Sequence, residues 1–348
     1  MLIYWFLLLI PIYFLFGKIQ GGARTSQLKW QFFGLFLIIL IGLRHRVGGD
    51  WYTYLDGLGL ESEIQWTNLF NARDPAYTLF SWLSIELGGS IYGVNFICAI
   101  IFTFGLINFC RSQPYPWLAI LVALPYLVIV VAMGYTRQAA AIGFLMISFR
   151  PLVQGRLTKY LVLVLLAGLI HKTAFIFAVF VLFRPGGGKL KGLLGVILLV
   201  SLIGATYLLE QADTFMLNYV VQGMESGGGQ IRVLMNVLPA LIFFVSWRKW
   251  GNMFDDRWLW GVFSILAVVC VPLVFFASTA VDRMALYLIP LQLVVWSRFP
   301  NLLKGRINIK FAFFIIAVYY AIVQFIYLIY GTYVAAWIPY DNLLLHIF

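Results

Sequence analysis

Apolar runs succeed one another along almost the whole chain, and no other feature restricts its fold as strongly. They fall near residues 2–16, 30–43, 91–110, 117–133, 137–149, 157–170, 173–184, 192–209, 231–247, 258–276, 283–298 and 311–330, with a shorter one at 76–87. A helix rising about 1.5 Å per residue needs roughly 17–25 apolar residues to cross the hydrocarbon of a bilayer. Of the 348 residues, 63% are hydrophobic and 11% charged, against about 25% charged in a soluble domain. One water-solvated core cannot hide so much apolar surface. The pattern predicts an all-α polytopic membrane protein with about 11–13 membrane helices, some of them short or re-entrant. It excludes a large soluble domain, so residues 1–348 read as a single integral membrane domain with outer-face loops at 44–75 and 210–230. Met1 to Phe16 lacks a basic leading region and a small-residue cleavage site, and reads as a first membrane helix rather than a cleaved signal.

The net charge of +11 has a topological cause. Cytoplasmic loops of membrane proteins collect Lys and Arg. With the N-terminus outside, 17 of the 24 basic residues, from Lys18 to Lys310, fall in inner loops, and of the 13 acids only Asp255 and Asp256 join them. The basicity is an orientation signal and needs no nucleic-acid partner.

Two stretches keep that orientation consistent. Tyr160 to Phe183 is about long enough for one crossing, yet Arg156 and Lys159 precede it while Arg184, Lys189 and Lys191 follow it, so both ends belong on the cytoplasmic side. Two short helices turning back at His171-Lys172-Thr173 satisfy both ends; one long helix with a buried His-Lys pair is the alternative. Pro75 to Leu87 is too short to cross and ends at Gly88-Gly89, which predicts a half-helix dipping in from the outer face.

Seven cations remain, all on the outer side: Arg44, Arg46, Arg73, Arg137, Lys172, Arg232 and Arg283. A charge near the bilayer centre costs roughly 2.5–3.5 kcal/mol, so one kept there faces a cavity and a partner. Arg137 opens a helix, where the macrodipole favours anions, and an anionic ligand would account for it. Arg283 adjoins Asp282, with Tyr287 one turn on; a plain Asp282–Arg283 contact is the structural alternative. Before Asp50, Gly48-Gly49 permits a tight turn, and Asp50 itself can serve as a base or simply cap a short helix. Trp51 and Tyr54 suit either the interfacial aromatic belt or stacking on sugar rings. His171 is the histidine set in an apolar run, and Lys172 beside it favours the neutral imidazole that a general base needs. Cys98, Cys110 and Cys270 have no pairing or metal spacing, and no HExxH, GxSxG or nucleotide-binding glycine motif occurs, so the expected chemistry uses no metal and no cofactor. Arginine forks suit phosphate oxygens, and a lipid-linked pyrophosphate held at the membrane surface fits such a set.

Four motifs in order, Arg44-x-x-Val47-Gly48-Gly49-Asp50-Trp51-x-x-Tyr54, Arg137-Gln138, Ile170-His171-Lys172-Thr173-Ala174 and Trp337-Ile338-Pro339-Tyr340, resemble the EpsG family of bacterial membrane proteins, related in role to the Wzy-type polysaccharide polymerases. The resemblance runs over nearly the whole chain. It implies a multi-pass protein of the bacterial inner membrane, with a fold like the GT-C glycosyltransferases. Such a protein polymerises undecaprenyl-pyrophosphate-linked repeat units at the periplasmic face in exopolysaccharide, O-antigen or capsule synthesis. On that reading Arg137 and Arg283, with Arg44 or Arg46, bind pyrophosphate, and His171 or Asp50 takes the acceptor proton. Lys172 assists with phosphate, while Trp51, Tyr54, Gln138, Asp282 and Tyr287 line the substrate site. Donor and acceptor are lipid-linked glycans, and a flippase and a chain-length regulator are the implied protein partners. Two readings from other classes stay open. A lipid-linked oligosaccharide flippase would need functional polar residues in the inner half as well. A membrane acyltransferase using His171 would need an acyl donor and leave the arginines unexplained.

Overall fold

The computed structural model describes residues 1–17, 23–61, 74–186 and 228–346, and every regular element among them is helical. α1 (Leu2–Phe16) and α2 (Ala23–Gly42) are followed by α3 (Trp51–Glu61), so a helix stands within the stretch 44–75 expected as a loop. α4 (Pro75–Glu86) reverses at Gly88, where φ is 70°, into α5 (Ser90–Arg111), and Ser84 Oγ donates to Ser90 O across the turn at 2.5 Å. The 12 residues of α4 measure about 18 Å against a hydrocarbon of roughly 30 Å, so α4 covers only part of α5, as a half-helix should.

α6 (Pro116–Ala123) runs directly into π-helical turns over Leu124–Ala132, all of them buried. α7 (Thr136–Val153) lies along α5, and the two backbones meet at Gly105 and Gly143, the close approach that small residues allow between membrane helices. α8 (Leu157–Ile170) stops at His171, whose backbone is extended at φ −150° and ψ 104°, and a 3-10 helix over Lys172–Phe183 returns along it. Tyr160 Oη donates to Phe177 O at 2.5 Å, and the ring of Phe175 closes over Gly168. The turn-back at His171 is present; the single long helix is not. The run expected at 192–209, most of the loop at 210–230, and Arg73 lie outside the described residues.

α9 (Gly229–Val245) bends by 76° into α10 (Trp247–Met253), and α11 (Arg257–Leu273) returns beside it. α12 (Ser278–Ala285) continues through a 3-10 turn at Leu286–Leu288 into α13 (Ile289–Leu302), and α14 (Ile309–Tyr330) closes the bundle. Ser90–Arg111, Ser278–Leu302 and Ile309–Tyr330 are each long and apolar enough to cross a membrane, and the bent pair α9–α10 makes a fourth. Six shorter apolar helices of 10–17 residues accompany them. Large apolar side chains such as Phe32, Phe104, Val245, Phe276 and Tyr330 point outward, a surface suited to lipid rather than water. This is a helical membrane protein. Among the described residues fewer helices reach full crossing length than the sequence predicts, because several apolar runs form short helices that turn back on one another.

Charged residues sort by end. At one end Arg298 forks onto Asp256 at 2.6 and 2.7 Å and reaches Gln113 Oε1 at 3.1 Å, while Lys249 donates to Leu302 O at 3.3 Å. These are groups the charge asymmetry assigns to the inner side. At the other end lie the first turns of α3, α4, α7 and α9 and the last turn of α8. The C-terminal segment seals this end: Gly48 N–H donates to Ala336 O at 2.8 Å, and Trp337 Nε1 donates to Ile129 O at 2.7 Å. Gly48 has φ 110°, and a Cβ there would fall 2.1 Å from Met133 O, so only glycine lets the loop press on the π-helical segment.

Candidate active site

The hub of this end is Asp74, the residue before Pro75. Its side chain is 3% exposed and does not cap α4, so both oxygens are free for other partners. Oδ2 accepts from Arg137 Nη1 at 3.0 Å and lies 3.9 Å from His171 Nδ1, while Oδ1 accepts from the Lys172 N–H at 3.1 Å. Three elements, α4, α7 and the α8 turn-back, therefore converge on one carboxylate. Arg137 also lies over the rings of Tyr54 and Tyr77, 5.2 and 5.1 Å from their centroids. His171 Nδ1 is buried without a hydrogen-bond partner at bonding distance.

A second charged pair stands beside the first. Arg283 Nη2 is 3.7 Å from Asp50 Oδ2, close enough for charge attraction and longer than a good hydrogen bond. The Arg283 guanidinium stacks 3.9 Å from the Tyr135 ring, and its backbone carbonyl accepts from Gln138 Nε2 at 2.6 Å. Gln138 follows Arg137 directly, so α7 carries both the Asp74 cluster and the tie to Arg283. Both side chains of the Asp50 pair are about a third exposed, at 33% for Asp50 and 39% for Arg283, whereas Asp74 is sealed.

The two carboxylates are pushed in opposite directions. Burial raises Asp50 above the ordinary carboxylate range, and the charges of Arg283 and Arg137 offset part of that. Burial also pushes Asp74 upward, but His171, Arg137 and the Lys172 N–H outweigh it and hold Asp74 below that range. One site thus contains a firmly ionised acid and one that holds its proton more readily.

Several expected residues are placed differently. Arg44 is 1% exposed, and its guanidinium donates to Val47 O, Ile41 O, Asn95 Oδ1 and Thr136 Oγ1 at 2.6–3.1 Å; it ties α2 to α5 and α7 and faces no open space. Arg46 is exposed beside His45 and Tyr92. Asp282 is gripped by Arg232 on α9 at 2.7 and 2.6 Å, while its neighbour Arg283 turns to Asp50. Trp51, 4% exposed, packs among buried residues with Tyr77, Ile91 and Ile170 and offers no free stacking face. Lys172 is 8% exposed and joins the cluster through its backbone N–H. Tyr287 is buried, with its hydroxyl 2.8 Å from Thr173 Oγ1, which fixes the turn-back against the α12–α13 junction. Asp74, Tyr77 and Tyr135 carry no signal in the sequence that marks them as site residues, whereas Arg232, one of the seven outer-side cations, finds its partner in Asp282. For Asp74 the available signal was an Asp-Pro dipeptide at a helix start, which reads as a cap.

A family model described as EpsG family matches residues 28–342. The chain belongs to the EpsG family. The match takes in Asp50, Asp74, Arg137, His171 and Arg283 together, and EpsG membership points to a polysaccharide polymerase, a glycosyltransferase-type enzyme acting in a membrane. A search of curated proteins and of solved structures finds no match to this EpsG chain.

Proposed function

We propose that this EpsG-family protein elongates a glycan carried on undecaprenyl pyrophosphate, transferring the growing chain to a hydroxyl of an incoming lipid-linked repeat unit. The observation that carries the reading is the pair of arginines, Arg137 and Arg283, joined through Gln138 and flanked by Asp50, Asp74 and His171 at one end of an apolar bundle. Planar guanidinium forks match the oxygens of a pyrophosphate, and held in place they stabilise the charge that develops as it leaves. Because His171 turns Nδ1 toward Asp74, Nε2 is left to take the acceptor proton, and Asp74 orients the ring. In the step, the acceptor oxygen loses its proton to His171 and bonds to the anomeric carbon. The bond from that carbon to the pyrophosphate oxygen breaks, and the lipid pyrophosphate departs as an anion. Asp50, less ionised and paired with Arg283, is the competing base. The segregation of charge supports a site on the periplasmic face of the inner membrane.

Purified protein incubated with lipid-linked repeat units alone should produce a ladder of longer glycans without added nucleotide or metal. Arg137→Ala, His171→Ala and Arg283→Ala should each abolish it. Ladders of normal length from all three variants would refute the assignment.

A further inference from the structure

Away from Asp74, three ligand-type side chains meet at the same end of the bundle. His45, just after α2, and Asp341 and His346, in the C-terminal segment, each place one ligand atom within 4.8 Å of the other two. Two distant stretches of chain are zipped together to achieve this. His45 N–H donates to Asp341 O at 3.0 Å, Leu343 N–H donates to Leu43 O at 2.8 Å, and Arg44 and Asn342 form an antiparallel bridge. The rings of His45 and His346 are 4.8 Å apart at their centroids, and His346 Nε2 is 2.7 Å from Asp341 Oδ2. His45 Nδ1 is 2.5 Å from Tyr92 Oη, a contact that orients the ring and leaves Nε2 as its free ligand atom.

We propose that His45, Asp341 and His346 bind one divalent transition-metal ion, with Zn2+ the best match. Two imidazoles and a carboxylate are the donor set of three-ligand zinc sites, whose fourth position is filled by water. Asp341 and His346 are 33% and 50% exposed, so such a water has access. A tetrahedral ion with bonds of about 2.0–2.1 Å holds its ligand atoms about 3.4 Å apart. The backbone zip holds the two segments in register, and the 2.7 Å between His346 Nε2 and Asp341 Oδ2 would open toward that spacing as the ion enters. The Tyr92 contact is the outer hydrogen bond that a ligating histidine makes through its other nitrogen. The bound ion would latch the C-terminal segment to the end of α2, and with it Trp337 against Gly49 and Gly134, without touching Asp74, Arg137 or His171.

The test uses full-length protein purified without a polyhistidine tag, stripped with a chelator and titrated with Zn2+ alone. One equivalent should bind saturably, at least about tenfold more weakly in His45→Ala and in His346→Ala, and unchanged in His171→Ala. Co2+ in place of Zn2+ should give the visible absorption of tetrahedral cobalt, lost in the same two variants. His346 is half exposed, so its replacement leaves the fold intact and keeps the measurement decisive. Absence of saturable binding, or wild-type binding by either variant, would overturn the site.

Discussion

Replacing Asp74 by Asn keeps the shape of the side chain and removes its charge. The Asn carbonyl can still accept from the Lys172 N–H, but its amide then faces Arg137 Nη1, where a charge-assisted bond of 3.0 Å stood. Such a bond is worth about 1.5–3 kcal/mol, and because Arg137 is 28% exposed, water recovers part of it, leaving about 1–2 kcal/mol of lost stability. The catalytic cost should be larger. A positioned general base contributes roughly 10²–10⁴ in rate, and the 3.9 Å separation of His171 from Asp74 places the expected loss near the lower figure, about 10²-fold or 2.7 kcal/mol. Asp74→Ala also orphans the Lys172 N–H in a residue 8% exposed, and should be less stable than Asp74→Asn by about 1–3 kcal/mol. The assay pairs glycan elongation, scored as ladder growth per unit of folded protein, with thermal unfolding of the same preparation. If Asp74→Asn elongates at the wild-type rate per folded molecule, Asp74 does not position His171 and the proposed division of labour is wrong.

Acid should dismantle the same cluster. A carboxylate held below its ordinary range contributes stability that is complete above that range and is lost as pH falls through the lowered value. The thermal midpoint should therefore drop below the ordinary Asp range in wild type and drop less in Asp74→Asn, as followed by tryptophan fluorescence. Gly105→Ala should cost more than its added methyl suggests, since the new Cβ would fall 2.2 Å from Gly143 O, a backbone atom that cannot swing aside. Overpacking of this kind costs about 1–3 kcal/mol and should reduce the yield of folded protein in the membrane; normal yield and midpoint would refute the close contact.

The parts of this architecture legible from sequence are those governed by local chain chemistry. The basic residues flanking Tyr160 to Phe183 forced a turn at His171, and the structure turns there. The shortness of the run after Pro75 and its closing glycines foretold a helix that doubles back. What sequence could not show is which buried charges choose each other. Asp74 meets Arg137 and Lys172 across 63 and 98 positions, and Arg232 reaches Asp282 across 50, distances over which no periodicity speaks. Arg44 shows the same limit: as a motif residue it looked available, yet Ile41 O and Val47 O take two of its donors within one turn of chain, and Asn95 and Thr136 take the rest.

The return limb of the hairpin, Lys172–Phe183, is wound as a 3-10 helix for 12 residues. At a rise of about 2.0 Å per residue it measures about 24 Å, where an α-helix of the same residues would measure about 18 Å. It is pinned along its length, by Thr173 to Tyr287 near one end and by Tyr160 to Phe177 at its middle. The tighter winding makes this limb a ruler. It holds His171 level with Asp74 while its far end still reaches Arg184 beside Gly155, and relaxing it to an α-helix would shorten that span by about 6 Å and pull one of the two out of place.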